Sequence, residues 1–393
     1  MSTVKDLENL IDRIVDRGIP GASISVYKDD KPLYEGCFGY QDFARTKPMT
    51  FDTLFRMYSM TKPVSALCGL IQYERGVFLM DDPVSEYLPE YKNLKVSVKQ
   101  PDGTWTVEDS KKPMLMRHLF NMNVGFYAHD GSPTDLGMQE MLKKLGGSKF
   151  QANYDHLTEI RTLPMIPMLF EPGDRWQYGY GLDIMAGVVE ATSGMGLGDF
   201  MKKNIFDPLG MNETWYRFRE GWQERMADCI KRDRKTGVIS HCTEVIGDPL
   251  DAGHRPDCKY ESASTGLIST LRDYQRFTRM LTNGGELEGV RIVGRKSIDM
   301  MRTNLLTESM KKEFTSPTLL GYGYGYGVRT MMDTGAGLCN GTPGEFGWCG
   351  AAGTWMEADP GERLAVVFMQ QEMMSDEHYV QPRLRAVING MIN

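Results

Sequence analysis

The sequence predicts an α+β protein: an antiparallel β-sheet flanked by N- and C-terminal helices, carrying a mainly helical second unit. Three observations lead there. Hairpin patterns stand near both ends of the chain, helical patterns lie outside them, and the stretch from about Leu54 to Phe218 changes to helical periodicity broken by Pro and Gly. At 393 residues the chain also exceeds the roughly 250–300 residues at which a single core stops growing. The expected division is a sheet unit from 1–54 and 219–393 and a mainly helical unit over 55–218, with the functional site at their junction.

Each element has its own signal. Leu7, Leu10, Ile11 and Ile14 recur at helical spacing in the first segment, which predicts an amphipathic opening helix. Ala22 to Tyr27 and Leu33 to Phe38 flank the polar turn Lys28 to Pro32 and read as a hairpin. Thr354 to Ala358 and Leu364 to Met369 flank Asp359-Pro360-Gly361-Glu362, a second hairpin, and Arg383 to Ile392 reads as a closing helix. Hairpins join sequence-adjacent antiparallel strands, so the strands of both ends are expected in one sheet. In the middle, Thr61 to Glu74 places Val64, Leu67, Leu70 and Ile71 on one face and stops at Gly76, which predicts a buried helix with a glycine cap. The alternation Gly321 to Gly327 predicts a strand or bend with close backbone approach.

Composition narrows the function. The net charge is −7, with 45 Lys plus Arg against 52 Asp plus Glu, and the one basic cluster, Lys231 to Lys235, reads as a solvated turn; nucleic acid is not an expected partner. No stretch approaches the roughly 18–20 apolar residues of a membrane helix, and the first residues lack the basic start and apolar block of a secretory signal. The seven cysteines form no C-x-x-C pair, so reduced thiols and a cytoplasmic location are expected. Motifs for zinc proteolysis, P-loop nucleotide binding, the dinucleotide fingerprint and the G-x-S-x-G nucleophile elbow are missing. None of the six histidines sits in a pattern that marks a base, and His118 reads as a satisfied helix histidine.

S-x-x-K occurs at Ser2/Lys5, Ser25/Lys28, Ser59/Lys62 and Ser309/Lys312. On the strand containing Ser25, residues three apart point to opposite faces; Ser2 sits at a terminus, and Ser309 lies in a charged, solvated run. Ser59 opens the apolar helix instead, where residues three apart stack on one face and the Lys62 amine reaches the Ser59 hydroxyl. Serine is a weak nucleophile without a base, and a lysine in apolar surroundings near the positive end of a helix gives up its proton more readily. On this motif alone, an N-cap serine and a snorkelling lysine stand as the alternative.

The segments Phe55 to Pro63 and Asp81 to Pro89 are followed in order by Arg117 to Phe120, Glu171-Pro172-Gly173, Tyr178 with Asp183, Asp207 to Met211 and Gly266 to Thr270. This ordered set resembles the serine β-lactamase and penicillin-binding-protein superfamily from about residue 5 to 390, and especially its class C-like esterase branch, family VIII carboxylesterases. The resemblance implies a β-lactamase/transpeptidase-like fold, Ser59 as an acylated nucleophile, Lys62 as partner in its activation, and Tyr178 as proton relay from the Tyr-x-Asn motif. Tyr180 stands where Asn is usual. The Lys-Thr-Gly motif is matched in position by Trp348-Cys349-Gly350, similar to the Trp-Gly-Gly of the esterase branch, so a cation becomes an indole. Tyr180, Trp348, Cys349 and Gly350 are thereby expected against substrate, and the backbone N–H groups of Ser59 and Ala351 as the oxyanion hole.

The implied activity is hydrolysis of small or medium acyl esters through an acyl-enzyme, without metal or organic cofactor, on a small-molecule substrate. β-Lactamase, D-amino-acid peptidase or transacylase activity is the alternative, and a catalytically inactive binding member is a second.

Overall fold

In the computed structural model, which describes residues 2–245 and 247–392, the chain opens with α1 (Val4–Asp16). Its N-terminus is a capping box, in which the Thr3 hydroxyl accepts from the Asp6 N–H at 3.2 Å and the Asp6 carboxylate accepts from the Thr3 N–H at 2.8 Å. Then β1 (Gly21–Lys28) and β2 (Lys31–Gly39) form the first hairpin. Its turn is tighter than the five-residue loop expected. Asp29 and Asp30 both sit at positive φ, 51° and 60°, which matches the twist of a two-residue hairpin connection.

The chain continues into the short strand Leu54–Arg56 and α2 (Thr61–Glu74), whose Gly76 lies just past the end at φ 70°. The middle holds a further long buried helix, α3 (Gly181–Ser193). It also holds a hairpin, Lys95–Lys99 with Trp105–Asp109, that the helical reading did not anticipate. The second of these strands is almost wholly exposed, so no apolar alternation advertises it. Beyond the middle come α4 (Leu271–Thr282) and the strands β3 (Tyr322–Tyr324), β4 (Arg329–Met331), β5 (Phe346–Cys349), β6 (Trp355–Asp359) and β7 (Leu364–Met369). The closing helix α5 (Glu377–Asn389) starts six residues before Arg383, with Pro382 inside it. Pro382 lies in the second turn and forgoes one backbone hydrogen bond, but Val380, Leu384 and Ile388 are buried against the sheet and α1, and that packing carries the helix through it.

The strands form one seven-stranded antiparallel sheet in the order β3-β4-β5-β6-β7-β1-β2. The N-terminal hairpin is therefore seated beside the C-terminal one, with Ser23 opposite Met369 and Lys28 opposite Leu364. The two hairpin tips are tied as well: the Asp29 N–H donates to the Arg363 carbonyl at 2.9 Å and the Arg363 guanidinium donates to Asp29 at 2.9 Å. Side-chain alternation feeds two cores. Ile24, Val26, Trp355, Val366 and Phe368 pack against Leu7, Leu10, Ile11 and Ile14 of α1 and Val380, Leu384 and Ile388 of α5. Met356, Ala358, Val367 and Met369 face the opposite way, into the larger core with Tyr274, Phe277 and Leu281 of α4 and Val64, Leu67 and Leu70 of α2. In the Gly321–Gly327 run the expected close approach is present, because a Cβ on Gly325 would lie 2.4 Å from the Met301 carbonyl oxygen. Among the described residues, no helix is long and apolar enough to cross a membrane.

One buried ionic cluster interrupts the apolar packing. The Arg385 guanidinium on α5 reaches Glu345 at 3.1 Å and Glu357 on β6 at 2.9 Å, with all three side chains no more than 6% exposed. Burial, and then Glu345 beside it, push the Glu357 carboxyl up. Arg385→Met leaves two buried carboxylates without their cation and is expected to cost about 3–5 kcal/mol in urea denaturation. A carboxyl held up by the fold binds its proton more tightly folded than unfolded, so the deficit should shrink as the pH is lowered.

Candidate active site

The site is assembled from four chain segments that the fold brings to the end of β5. Strand Leu54–Arg56 pairs antiparallel with Ile268–Thr270, and the Met57 N–H donates to the Leu267 carbonyl at 2.9 Å. Arg56 is anchored by a bidentate pair to Asp251, 2.7 and 2.9 Å, and by a 2.8 Å bond to the Ala227 carbonyl. The chain then turns sharply: Tyr58 adopts φ 45°, a strained position for a bulky residue, and a single 3₁₀ turn, Tyr58–Met60, delivers Ser59 to the start of α2.

Lys62 lies in the first turn of α2 and is 3% exposed. Its Nζ stands 3.3 Å from Ser59 Oγ, donates to the Ser264 carbonyl at 3.0 Å, and lies 4.5 Å over the Tyr178 ring. Ser264 uses its other polar group on Asp183, at the start of α3, through a short hydrogen bond from its hydroxyl. The Leu267 N–H donates to the Thr61 hydroxyl at 3.1 Å, which locks this segment to the head of α2. Ser59, Lys62 and Tyr178 are thus brought together.

Tyr178 precedes α3, and its hydroxyl accepts a 3.1 Å hydrogen bond from the Trp348 indole N–H; the two rings stack at 5.6 Å and 23°. Tyr324 abuts Trp348 edge-on at 5.3 Å, and Trp176 lies 5.6 Å from Tyr324 and 4.9 Å from Phe314. The wall behind the Ser-Lys-Tyr group is therefore aromatic and uncharged.

Trp348 and Cys349 diverge, as neighbours on a strand must. Trp348 faces α2 and Tyr178, whereas the Cys349 thiol lies on the other face of the sheet, 3.6 Å from Glu377 on α5. At this position only the Cys349 backbone can border the site. Tyr180 also turns away: its hydroxyl donates to the buried carboxylate of Glu159 at 2.9 Å.

β5 pairs with β4 only at Phe346 and Gly347, so Trp348 to Gly350 run past the end of β4. The turn that follows is held by the Gly350 N–H on the Thr354 carbonyl at 2.8 Å, and its carbonyls at Ala351 and Ala352 accept from Met374 and Glu372 at 2.7 and 2.9 Å. It abuts the Ser59 turn: the Thr354 hydroxyl donates to the Met57 carbonyl at 3.3 Å, and Tyr58 packs on the small cluster that contains Ala352.

Most of the histidines have partners elsewhere, among them His129 on the Tyr127 hydroxyl at 3.0 Å. The His118 ring accepts from the Leu115 N–H at 3.2 Å, and burial, then Arg117, push it down to about 4, so it is neutral at ordinary pH. His156 pairs with Glu190, His254 with the Tyr216 carbonyl, and His241 with Asp228. Among the described residues, no group of three or more His, Cys, Asp or Glu side chains could hold a metal ion. Sequence reasoning passed over Ser264 because it offers a backbone carbonyl to Lys62, which any residue could supply. It passed over Glu159 and Tyr324 because only tertiary packing sets them beside Tyr180 and Trp348.

The family model described as Beta-lactamase matches residues 7–389. The chain belongs to the Beta-lactamase family. Within that family it is similar to Protein Rv1367c of Mycobacterium tuberculosis, 28% identical over 369 residues that cover 92% of this chain and 88% of that protein. Esterase EstB of Burkholderia gladioli is 29% identical over 204 residues, 51% of this chain and 48% of the esterase. Among solved structures, EstCE1, described as a hydrolase with promiscuous acyltransferase activity, superposes with a TM-score of 0.79 at 20% identity, covering 98% of each chain. The expected β-lactamase-like α+β fold is thereby shown.

In this member of the Beta-lactamase family, the contact between the two turns leaves no room for a side chain at Gly350. A Cβ there would fall 2.4 Å from the Met57 carbonyl oxygen and 2.2 Å from the Thr354 hydroxyl. Gly350→Ala is expected to lower stability by about 1–3 kcal/mol in thermal denaturation, because the carbonyl belongs to backbone that cannot swing aside.

Proposed function

We propose that this chain is a serine hydrolase that works through an acyl-enzyme on neutral carboxylic esters of small or medium acyl chain. The observation that carries the reading is the Ser59–Lys62–Tyr178 group, with 3.3 Å between Oγ and Nζ and a neutral indole on the Tyr178 hydroxyl. Ser59 and Lys62 lead the mainly helical segment 55–218, and Trp348 comes from the sheet unit, so the reaction would run at the junction of the two.

Ser59 Oγ attacks the acyl carbonyl while its proton passes to the Lys62 amine, which stands 3.3 Å from Oγ and over the face of the Tyr178 ring, and Tyr178 relays it onward. The Ser59 and Ala351 N–H groups receive the oxyanion. The proton returns to the leaving alcohol, and water resolves the acyl-enzyme by the same path reversed. Asp183 and Ser264 act through Lys62 as positioning residues, because the Ser264 carbonyl that holds Nζ is itself fixed by the hydroxyl bond to Asp183.

Trp348 sets the substrate class. An indole N–H holds the Tyr178 oxygen without adding a positive charge, so an anionic acyl group such as that of a penicillin or peptide finds no counter-ion there. This favours ester hydrolysis over β-lactamase or D-peptidase chemistry, and kinship with Esterase EstB supports the same choice. Transfer of the acyl group to an alcohol is the second reading, since an acyl-enzyme accepts nucleophiles other than water and the EstCE1 description names both activities.

Treatment with a fluorophosphonate followed by intact-mass analysis is expected to give one adduct on Ser59, with labelling and p-nitrophenyl butyrate hydrolysis both lost in Ser59→Ala. Labelling that survives the substitution would reject Ser59, and a folded, unlabelled wild type would reject the enzyme reading. Turnover of the ester should far exceed that of a chromogenic cephalosporin. Trp348→Phe keeps the stacked ring and removes the indole N–H; kcat for the ester is expected to fall about fivefold, the worth of one neutral hydrogen bond.

A further inference from the structure

Two of the cysteines face each other across a hairpin directly behind the nucleophile turn. In the hairpin Ile230–Arg232 with Ile239–His241, Ile230 lies opposite His241. One step further out, the Cys242 N–H donates to the Cys229 carbonyl at 2.8 Å, which continues the antiparallel register to Cys229 opposite Cys242. Directly opposed residues of an antiparallel pair have Cα atoms about 4.5–5.5 Å apart, inside the range a disulfide spans. Both residues are 2% exposed and both belong to one small cluster with Ala352; the Cys229 thiol donates to the Ile230 carbonyl at 3.8 Å and the Cys242 thiol to the Glu244 carbonyl at 3.4 Å.

The surroundings tie this pair to the site. Tyr58 packs on the same cluster. It immediately precedes Ser59, holds the strained φ of 45°, and has a buried hydroxyl with no hydrogen-bond partner among the described residues. Packing against the thiols and Ala352 is therefore what positions its ring. Ala352 adjoins Ala351, the proposed second oxyanion donor. One cluster thus supports both halves of the catalytic turn contact.

We propose that Cys229 and Cys242 are an oxidisable dithiol that closes to a reversible disulfide and lowers turnover at Ser59. With hydrogen peroxide, one thiolate sulfur takes up oxygen as sulfenic acid and releases hydroxide. The second thiol then attacks that sulfur, forms the S–S bond and expels water; two thiols and one peroxide give one disulfide and two waters. Drawing the two sulfurs off their carbonyl partners into a bond of about 2.05 Å pulls support from under Tyr58 and Ala352. Burial raises the Cys229 thiol, so closure is slow at neutral pH, quickens with alkalinity, and requires the hairpin to part down to its base, where the two cysteines lie. The disulfide stands on the hairpin geometry alone, whereas its effect on turnover rests on the acyl-enzyme reading of Ser59.

Diamide, a thiol oxidant that spares methionine, tests both parts on the full chain. Digestion with trypsin and endoproteinase Glu-C separates residues 226–231 from 236–244, so a bridge appears as a cross-linked peptide pair that dithiothreitol dissolves. We expect that pair, together with about a fivefold fall in kcat for p-nitrophenyl butyrate, restored by dithiothreitol and absent in both Cys229→Ser and Cys242→Ser. Failure of the bridge to form at alkaline pH, while the partly exposed Cys37 and Cys339 react, overturns the dithiol. A bridge that leaves kcat unchanged in enzyme whose Ser59 takes up fluorophosphonate overturns the coupling. If Ser59 takes up no fluorophosphonate even when reduced, the acyl-enzyme reading has failed and the coupling falls with it, while the cross-linked peptide still decides the disulfide.

Discussion

The antiparallel pairing of β1 with β7 is the interaction on which the rest of the molecule depends. It joins residues more than three hundred positions apart, from Ser23 opposite Met369 to Lys28 opposite Leu364, and so turns two separate hairpins into one sheet. Everything outside the sheet is then placed by which face it meets. α1 and α5, from opposite ends of the chain, share one face, and α4 with the helical segment takes the other. A one-residue slip in this register would exchange Val366 and Phe368 for Val367 and Met369 and send each apolar set to the wrong core.

That same register delivers the site. β6 pairs with β7 and β5 with β6, so the position of Trp348 follows from the seat of the N-terminal hairpin by two steps of strand pairing. The Ser59 turn arrives from the other direction, on the short strand 54–56. The two meet where Gly350 and Thr354 lie against the Met57 carbonyl. The fit needs glycine on one side and a positive φ at Tyr58 on the other, a concentration of local strain that the surrounding hydrogen bonds hold in place.

The chemistry around Lys62 is shaped as much by what is neutral as by what is charged. Its contacts are a hydroxyl, a carbonyl and an aromatic face, with the Asp183 carboxylate one residue removed behind Ser264. The indole of Trp348 continues that pattern. The oxidisable pair behind Tyr58 adds a means by which the strained turn can be perturbed without any contact in the cleft.

Much of this was legible in the residues. The α+β class, both hairpins, α1, the limits of α2 and the glycine close approach at 321–327 followed from local periodicity and turn chemistry, which depend on neighbours in sequence. The family followed from ordered motifs spread over the whole chain. The hairpin at 95–109 did not, because its outer strand has no apolar face, and α5 was shortened because Pro382 reads as a stop where tertiary packing of the helix outweighs one lost backbone hydrogen bond. By itself, the sequence determined which residues carry reactive groups and which segments could be helix or strand, since those properties are local. Only the tertiary structure decided that Ser264 holds Lys62 by its carbonyl, that Tyr180 turns to Glu159, that the Cys349 thiol lies behind the sheet while Trp348 meets Tyr178, and that Cys229 faces Cys242. Each of these depends on the register between strands or on the packing of distant segments, and hydrophobic patterning along the chain specifies which face is buried but not which partner lies across it.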